Sequence, residues 1–249
     1  MNAHGSRLWL AKAAVPIPLF LRYGFNPGST LLLHASANTA ARATVTTTLA
    51  AASGGVLGLF IKYYLPAKLG GSHVYDIGHT CNSLLGGLVG ITAGCATVRP
   101  WAALIIGFVA AWVYHAASCL MRKLKIDDPL DAFAVHGACG VWGMIAVGLF
   151  TAKEYSYSAK IPDAGIFMEG TRGELFGNQI VGVLMILLWV VIMSILLFGA
   201  LRMAGIFRVP VEDEESGLDI SKHGGSAYAS DVDAPNHKVA TASTSSSIA

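Results

Sequence analysis

The hydrophobic pattern divides most of the chain into long apolar stretches separated by short polar segments. Five of these stretches contain no Asp, Glu, Lys or Arg, and they cover residues 43–61, 77–98, 100–121, 132–152 and 175–201. About 20 consecutive apolar residues are enough for an α-helix to cross the hydrocarbon core of a bilayer. One such run can belong to a buried helix of a soluble protein, but five in succession predict five transmembrane helices, of which the last is the longest.

The amino-terminal region is apolar but irregular. Residues 11–26 include Lys12 and Arg22, with Pro16 and Pro18 between them. A proline inside a helix removes a backbone hydrogen bond and clashes with the preceding turn. We therefore treat this region as a candidate sixth span, and the predicted fold class is an all-α integral membrane protein with five to six transmembrane helices.

Composition agrees with a membrane protein and argues against several other classes. Only 13% of the residues are charged and the mean hydropathy is +0.57, whereas about 25% of the residues are charged in soluble domains. The formal net charge of +2 is too small to suggest binding to nucleic acid. The four cysteines form no C-x-x-C pair, and the sequence shows no cluster of metal ligands and no activated nucleophile. The sequence therefore predicts no metal, no cofactor and no enzymatic activity.

The polar segments also predict an orientation. The segments at 62–76 and 122–131 and the residues after 201 alternate with the remaining ones and therefore share one side of the membrane. They contain more Lys and Arg than the segments on the opposite side. Because short basic loops stay in the cytoplasm, the carboxyl-terminal tail, residues 208–249, is predicted to be cytoplasmic. Its Ser, Thr and Ala content predicts disorder from about residue 229.

One ionisable side chain, His136, lies inside the fourth charge-free stretch among several glycines. A polar group costs free energy in hydrocarbon, so such a histidine is expected to face a pore, a partner or water. The simpler alternative is a neutral imidazole that is hydrogen-bonded between helices. Asp127, Asp128 and Asp131 come just before this stretch, and Asp128 in front of Pro129 suits a helix N-cap.

Four separated motifs resemble those of the ammonium transporter (Amt/Mep/Rh) family and occur in the order of that family. The most specific is DDPLDAFAVHGACGVWG at 127–143. The others are YGFNPGS at 23–29, GLVGITAGCATVRPWAALIIG at 87–107 and RVPVEDEESGLDISKHGGSAY at 208–228. The last motif is similar to the tail of the microbial and plant branches, not of the Rh branch.

The resemblance implies that the chain corresponds to the carboxyl-terminal half of such a transporter. Family members have about eleven spans, arranged as two inverted halves plus a long final helix, and such repeats place the substrate path between the halves. Residues 1–22 match poorly, since Arg22 stands where the family usually has a tryptophan. The expected organisation is a partial transmembrane domain at 23–207 followed by the cytoplasmic tail at 208–249.

The resemblance also implies roles for single residues along a substrate pathway. His136 resembles one of the two pore histidines, whereas His79 and His115 are interpreted as packing or interfacial groups. Phe25 resembles a phenylalanine that gates the outer mouth, although an interfacial aromatic is the default alternative. Ser29 resembles a hydroxyl that accepts a hydrogen bond from ammonium beside aromatic faces; alternatively, it caps the turn that follows Phe25.

The remaining residues that the resemblance singles out are structural or regulatory. The three carboxylates Asp127, Asp128 and Asp131 are expected to hold the helix start and to couple it to the cytoplasmic tail. In the tail, the resemblance implies docking on a neighbouring subunit through the segment that contains Gly217, Asp219 and Ser221. A phosphate on Ser221 would repel Asp219 and disturb that docking, and an unmodified polar residue is the alternative.

These observations lead to one functional expectation with two alternatives. The expected function is transport of ammonium or methylammonium through a hydrophobic pore in the plasma membrane, in a bilayer-embedded trimer formed with itself or with full-length homologues. One alternative is a half-transporter that assembles with full-length partners as a regulatory subunit. The other is an inactive fragment from an incomplete gene model.

Overall fold

The computed structural model describes residues 16–31, 33–156, 163–216 and 218. The regulatory-tail residues Gly217, Asp219 and Ser221 and the segment predicted to be disordered lie outside the described residues.

Helices account for nearly all of the regular structure in the described part of the chain, and an isolated antiparallel bridge joins Val98 to Thr151. Short 3₁₀ turns lie at Gly28–Thr30 and Ala67–Leu69, and a π-helical segment covers Phe133–Ala138 and continues directly into the next α-helix. The α-helices are α1 (Pro16–Phe25), α2 (Leu33–Tyr64), α3 (Ile77–Thr92), α4 (Pro100–Lys123), α5 (Cys139–Phe150), α6 (Lys153–Ser156), α7 (Glu174–Met203) and α8 (Val211–Ser216).

Four helical stretches are long and apolar enough to cross a membrane, and each contains most of one predicted span. They are Ser36–Tyr64, Pro100–Lys123, Phe133–Phe150 and Glu174–Met203. The prediction of an all-α integral membrane protein is therefore confirmed. Two further predicted spans come out shorter.

Helix α3 ends earlier than its charge-free stretch predicted. It has 16 residues, which is about 24 Å at 1.5 Å per residue and less than the roughly 30 Å of hydrocarbon. Beyond it the backbone turns, because the amide of Gly94 donates to Ile91 O (3.0 Å) and the amide of Thr97 donates to Gly94 O (2.9 Å). Helix α1 has only 10 residues in the described part of the chain.

Small residues let α2, α3 and α4 pack with their backbones almost in contact. A Cβ atom on Gly107 would lie 2.0 Å from the carbonyl oxygen of Ala50, and one on Gly87 would lie 2.5 Å from the same oxygen. The hydroxyl of Ser53 donates to Leu104 O across the α2–α4 contact (2.9 Å). Such close approach is how helices associate in lipid, where burial of apolar surface gives little driving force.

The π-helical segment and α5 pack on the same three-helix unit. Trp142 donates its indole N–H to Ile106 O of α4 (3.0 Å). A Cβ atom on Gly143 would lie 2.8 Å from Gly90 O of α3. The contact therefore combines a close backbone approach with a hydrogen bond, and it fixes the depth and rotation of the helix that carries His136.

The described residues belong to two compact units, one containing those from 16 to 194 and one containing those from 195 to 218. In the first unit, α7 up to Ser194 buries only Leu175 and Val183, so nearly all of its apolar side chains are available to acyl chains. In the second unit, the rings of Phe198 and Phe207 lie 5.4 Å apart.

Candidate functional site

The helix that carries His136 begins on a carboxylate cap. The Asp128 side chain accepts the amide N–H of Ala132 at Oδ1 (2.7 Å) and that of Phe133 at Oδ2 (2.9 Å). These amides belong to the first turn, which has no intrahelical acceptors, and a carboxylate there also interacts favourably with the helix dipole. Asp128 therefore sets where the helix starts, whereas Asp127 is exposed.

Asp131 anchors the same turn to the neighbouring helices. Its Oδ2 accepts the Tyr114 hydroxyl (2.8 Å) and its Oδ1 accepts the Ser118 hydroxyl (2.7 Å), while Asn82 Nδ2 lies at a long 3.5 Å. The backbone at Asp131 has φ +56°, a left-handed conformation that Asp and Asn tolerate better than most residues. Two hydroxyls on α4 thus hold a carboxylate five residues before His136.

His136 lies in the π-helical segment and is exposed on this chain. No hydrogen bond to its ring occurs within the part of the chain that the structure describes. The described residues therefore offer no partner for an imidazole that is hydrogen-bonded between helices. Phe133, three residues earlier, is 51% exposed, and its ring covers Gly137, where a Cβ atom would lie 2.9 Å from the ring. A π-helical turn inside an α-helix is frequent at functional sites.

A second pair of histidines lies inside the helix bundle. The Nε2 atom of His79 and the Nδ1 atom of His115 are 3.0 Å apart, and both residues are buried, with 5% and 4% exposure. The outer nitrogens face carbonyl oxygens, His79 Nδ1 at 3.0 Å from Gly58 O and His115 Nε2 at 2.8 Å from Leu69 O.

The hydrogen-bond inventory of this pair follows from its partners. Because a carbonyl oxygen only accepts, His115 Nε2 donates to Leu69 O, whereas His79 Nδ1 can donate to Gly58 O or accept from the Ser83 hydroxyl at 3.4 Å. A neutral imidazole has one N–H, and when the Ser83 hydroxyl donates to His79 Nδ1, the His79 Nε2–H can donate to His115 Nδ1 and the His115 Nε2–H to Leu69 O. The structure therefore joins in one buried, hydrogen-bonded pair two histidines that the sequence interpretation treated as separate packing or interfacial groups.

Phe25 and Ser29 lie at the opposite end of the bundle from Asp131. The hydroxyl of Ser29 donates to Phe25 O (2.6 Å), and the Arg22 guanidinium lies 5.3 Å from the centroid of the Phe25 ring, which is 57% exposed. Arg22 also donates to Thr92 at the end of α3 (3.0 Å). Because Asn82, near Asp131, is ten residues earlier on α3, roughly 15 Å of helix separates the two groups.

A buried aspartate organises the loop that leads into α7. Asp163 is 5% exposed and accepts the amides of Ala164 (2.8 Å), Arg172 (3.0 Å) and Leu175 (3.2 Å). Burial works to raise the pKa of Asp163, but these backbone donors outweigh it and hold the pKa below its ordinary value. The carboxylate thereby fixes the entry into the longest helix.

Known proteins match most of this chain. The profile of the Ammonium Transporter Family matches residues 19–228. Ammonium transporter 1 member 2 of Arabidopsis thaliana is 43% identical over 220 residues, which cover 83% of this chain and 41% of that protein. The rice (Oryza sativa subsp. japonica) protein of the same name is also 43% identical over 220 residues, covering 83% of this chain and 43% of its own length.

Solved structures agree with the sequence comparison. A structure described as Sensor Amt Protein has a TM-score of 0.69 at 31% identity and covers 82% of this chain and 46% of that chain. Candida albicans Mep2 has a TM-score of 0.63 at 30% identity and covers 78% of this chain and 41% of that chain. The chain therefore spans less than half the length of these proteins.

Proposed function

Because the chain belongs to the Ammonium Transporter Family, we propose that it contributes to the conduction of ammonium or methylammonium across a membrane. In this proposal His136 lines the pore. The observation that carries this proposal is the exposed imidazole of His136 in a π-helical turn within an apolar helix. Asp128 and Asp131 hold the start of that turn at fixed positions. An imidazole exposed there can donate or accept a hydrogen bond with a passing ammonia molecule, or carry a proton.

Phe25 and Ser29 are proposed to receive the cation at the other end of the bundle. The Ser29 hydroxyl already donates its hydrogen to Phe25 O, so its oxygen lone pairs are available to accept an N–H of ammonium. The exposed Phe25 ring can add cation–π attraction, as it does for the Arg22 guanidinium in the structure.

The assembly is proposed to be a trimer in the plasma membrane with the carboxyl-terminal tail in the cytoplasm. A pore around His136 requires a second wall, because the imidazole is exposed on this chain. That wall would come from further polypeptide of the same transporter, either in the same chain or in a homologous one. Asp127, Asp128 and Asp131 would couple the helix start to the tail, where Gly217, Asp219 and Ser221 are proposed to form the regulated docking segment.

The test is uptake of radiolabelled methylammonium in yeast that lacks its own ammonium transporters. The chain is expressed alone and together with the amino-terminal half of the Arabidopsis relative, with surface expression measured in each case. We expect uptake when the second half is supplied, and we expect His136→Ala to abolish it. The matched control is His73→Asn, since His73 has φ +53° in an exposed loop and Asn tolerates that backbone conformation.

The two ways of failing are distinguishable. Uptake that survives His136→Ala at equal surface expression would remove His136 from the pathway while leaving conduction intact. Absence of uptake in every combination, despite expression, would overturn conduction. In that case the regulatory-subunit alternative predicts a changed uptake by the full-length Arabidopsis relative when the two are co-expressed.

A further inference from the structure

A cavity of about 540 Å³ lies between α4 and the turn Ala67–Leu69, at the end of the bundle opposite to Ser29. Helix α4 contributes Trp112, Arg122 and Lys123, and the segment that follows α2 contributes Leu65, Lys68 and Leu69. Neither the pore histidine nor the predicted recruitment residues line it. The cavity is therefore separate from the proposed pathway residues His136, Phe25 and Ser29, and His115 of the buried histidine pair lies in its wall.

The cavity is fixed by close packing of the loop on α4. Gly70 has φ +86°, and a Cβ atom there would lie 2.7 Å from Cys119 Sγ and 3.2 Å from the ring of His115. The hydrogen bond from His115 to Leu69 O (2.8 Å) ties the turn to the helix. Any side chain at position 70 would push the loop away, so the shape of the cavity depends on this glycine.

The polar part of the lining is basic. Lys68, Arg122 and Lys123 all line the cavity, and among the described residues no carboxylate does. The Arg122 guanidinium is oriented by α4 itself, since NH1 donates to Ser118 Oγ (3.0 Å) and NH2 contacts Cys119 Sγ (3.2 Å). A guanidinium has five N–H donors, so it keeps donors for an oxyanion after these two contacts.

The apolar part of the lining extends along the transmembrane helix. Trp112 is 40% exposed and Leu69 is 59% exposed. Trp112 precedes Arg122 by ten residues, which places the ring about 15 Å deeper along α4 than the basic end. The cavity thus presents cations at the helix end and apolar surface toward the middle of the span, which is the distribution of charge and hydrocarbon in an anionic lipid.

We propose that this cavity is a binding site for an anionic phospholipid. Lys68, Arg122 and Lys123 bind the phosphate, and the acyl chain lies against Trp112 and Leu65. Basic pockets between transmembrane segments bind anionic head groups, each cation contributing a modest attraction near the membrane surface. A soluble phosphate ion would gain nothing from the exposed Trp112 and leucine surface, so the lipid is the occupant that uses the whole cavity.

The first test is native mass spectrometry of the purified full chain in detergent, titrated with phosphatidylglycerol, with phosphatidylcholine and with inorganic phosphate. We expect phosphatidylglycerol to bind several-fold more tightly than phosphatidylcholine. Lys123→Gln should weaken phosphatidylglycerol binding about fivefold. Lys125→Gln is the matched control, because it removes the same charge two residues later without touching the cavity lining.

The second test locates the acyl chain through the tryptophan in the cavity. Vesicles containing phosphatidylglycerol brominated on one acyl chain should quench the fluorescence of the reconstituted protein. The Trp112→Phe variant should lose more of that quenching than Trp101→Phe, which removes an exposed tryptophan from the opposite end of α4. Quenching should fall when brominated phosphatidylcholine replaces the anionic lipid in a bilayer of unbrominated phosphatidylglycerol.

Three outcomes would overturn the proposal. Equal affinity for the two lipids would mean that the cations do not select a phosphate with net negative charge. Equal losses of phosphatidylglycerol affinity in Lys123→Gln and Lys125→Gln would mean that the lipid binds outside the cavity, elsewhere among the basic residues at the end of α4. Binding of inorganic phosphate with the affinity of the lipid would show that the apolar wall plays no part.

Discussion

Replacing Asp131 by Asn tests whether the hydroxyl–carboxylate network positions the His136 helix. Asn keeps the shape of the side chain and tolerates the left-handed backbone found there. It removes the negative charge that receives the Tyr114 hydroxyl at 2.8 Å and the Ser118 hydroxyl at 2.7 Å. The substitution therefore isolates the contribution of charge to these two hydrogen bonds.

The magnitude follows from the two bonds. A hydrogen bond to a charged group contributes about 1.5–3 kcal/mol and a neutral one about 0.5–1.5 kcal/mol, so two bonds lose about 2–3 kcal/mol on neutralisation. Asp131 is half-buried, and solvent screening reduces the loss to about 1–2 kcal/mol. For a chain of this size that corresponds to a fall in the unfolding midpoint of about 2–8 °C.

The assay is thermal unfolding of the purified chain in detergent, followed by circular dichroism. Asp127→Asn serves as the matched control, since Asp127 is exposed and makes no hydrogen bond within the described residues, and its midpoint should not change. Tyr114→Phe should destabilise the wild type more than it destabilises Asp131→Asn, with a coupling of about 1 kcal/mol. Equal midpoints for the two Asn variants, or strictly additive effects, would refute a network centred on Asp131.

Two further predictions concern helix packing and the loop before α7. Gly107→Ala should lower the unfolding midpoint by the equivalent of about 1–3 kcal/mol, because the added methyl group meets the Ala50 carbonyl at 2.0 Å. Gly177→Ala, which adds the same group where nothing lies within 4 Å, should be neutral or gain up to about 1 kcal/mol from helix propensity; a loss as large as that of Gly107→Ala would contradict the packing argument. The lowered pKa of Asp163 stabilises the folded state above the ordinary pKa of aspartate, and that stabilisation is lost as the pH falls through the lowered value. At neutral pH the unfolding midpoint of Asp163→Asn should be lower than that of the wild type. The two midpoints should converge as the pH falls through this acidic range, and a difference that stays constant would contradict the role of the Asp163 carboxylate.

The sequence predicts the long helices well because the signal for a span is simple. A charged side chain is costly in hydrocarbon, so a membrane-spanning helix contains an uninterrupted apolar run. The observed ends of α4 and α7 accordingly lie within about two residues of the predicted ones. The end of α3 was missed for a physical reason. The residues after Thr92 are as apolar as those before it, so the turn around Gly94 changes the backbone path without changing the hydropathy.

The candidate site was harder to predict because its geometry depends on contacts between distant residues. The order of residues placed Asp128 in front of a helix, and the cap that it forms is local. By contrast, the contact of His79 with His115 joins residues 36 positions apart on different helices. The alignment of α3 with α4 is set by close approach of small residues, and a single sequence gives no register for such packing. The π-helical turn at His136 likewise has no signature in the apolar pattern.

The exposure of His136 restricts what can lie against this face of the chain. An imidazole without a hydrogen-bond partner is costly in contact with acyl chains, so the face is expected to meet protein or water in the membrane. Gly137 leaves room for the Phe133 ring beside it, so the same face presents an aromatic surface next to the polar ring. Nearly all of the apolar side chains of α7 up to Ser194 are also exposed, and apart from the indole N–H of Trp189 they carry no polar group, so lipid can cover them. The exposed surface of α7 can therefore face lipid. The exposed surface at His136, in contrast, requires contact with protein or with a water-filled path.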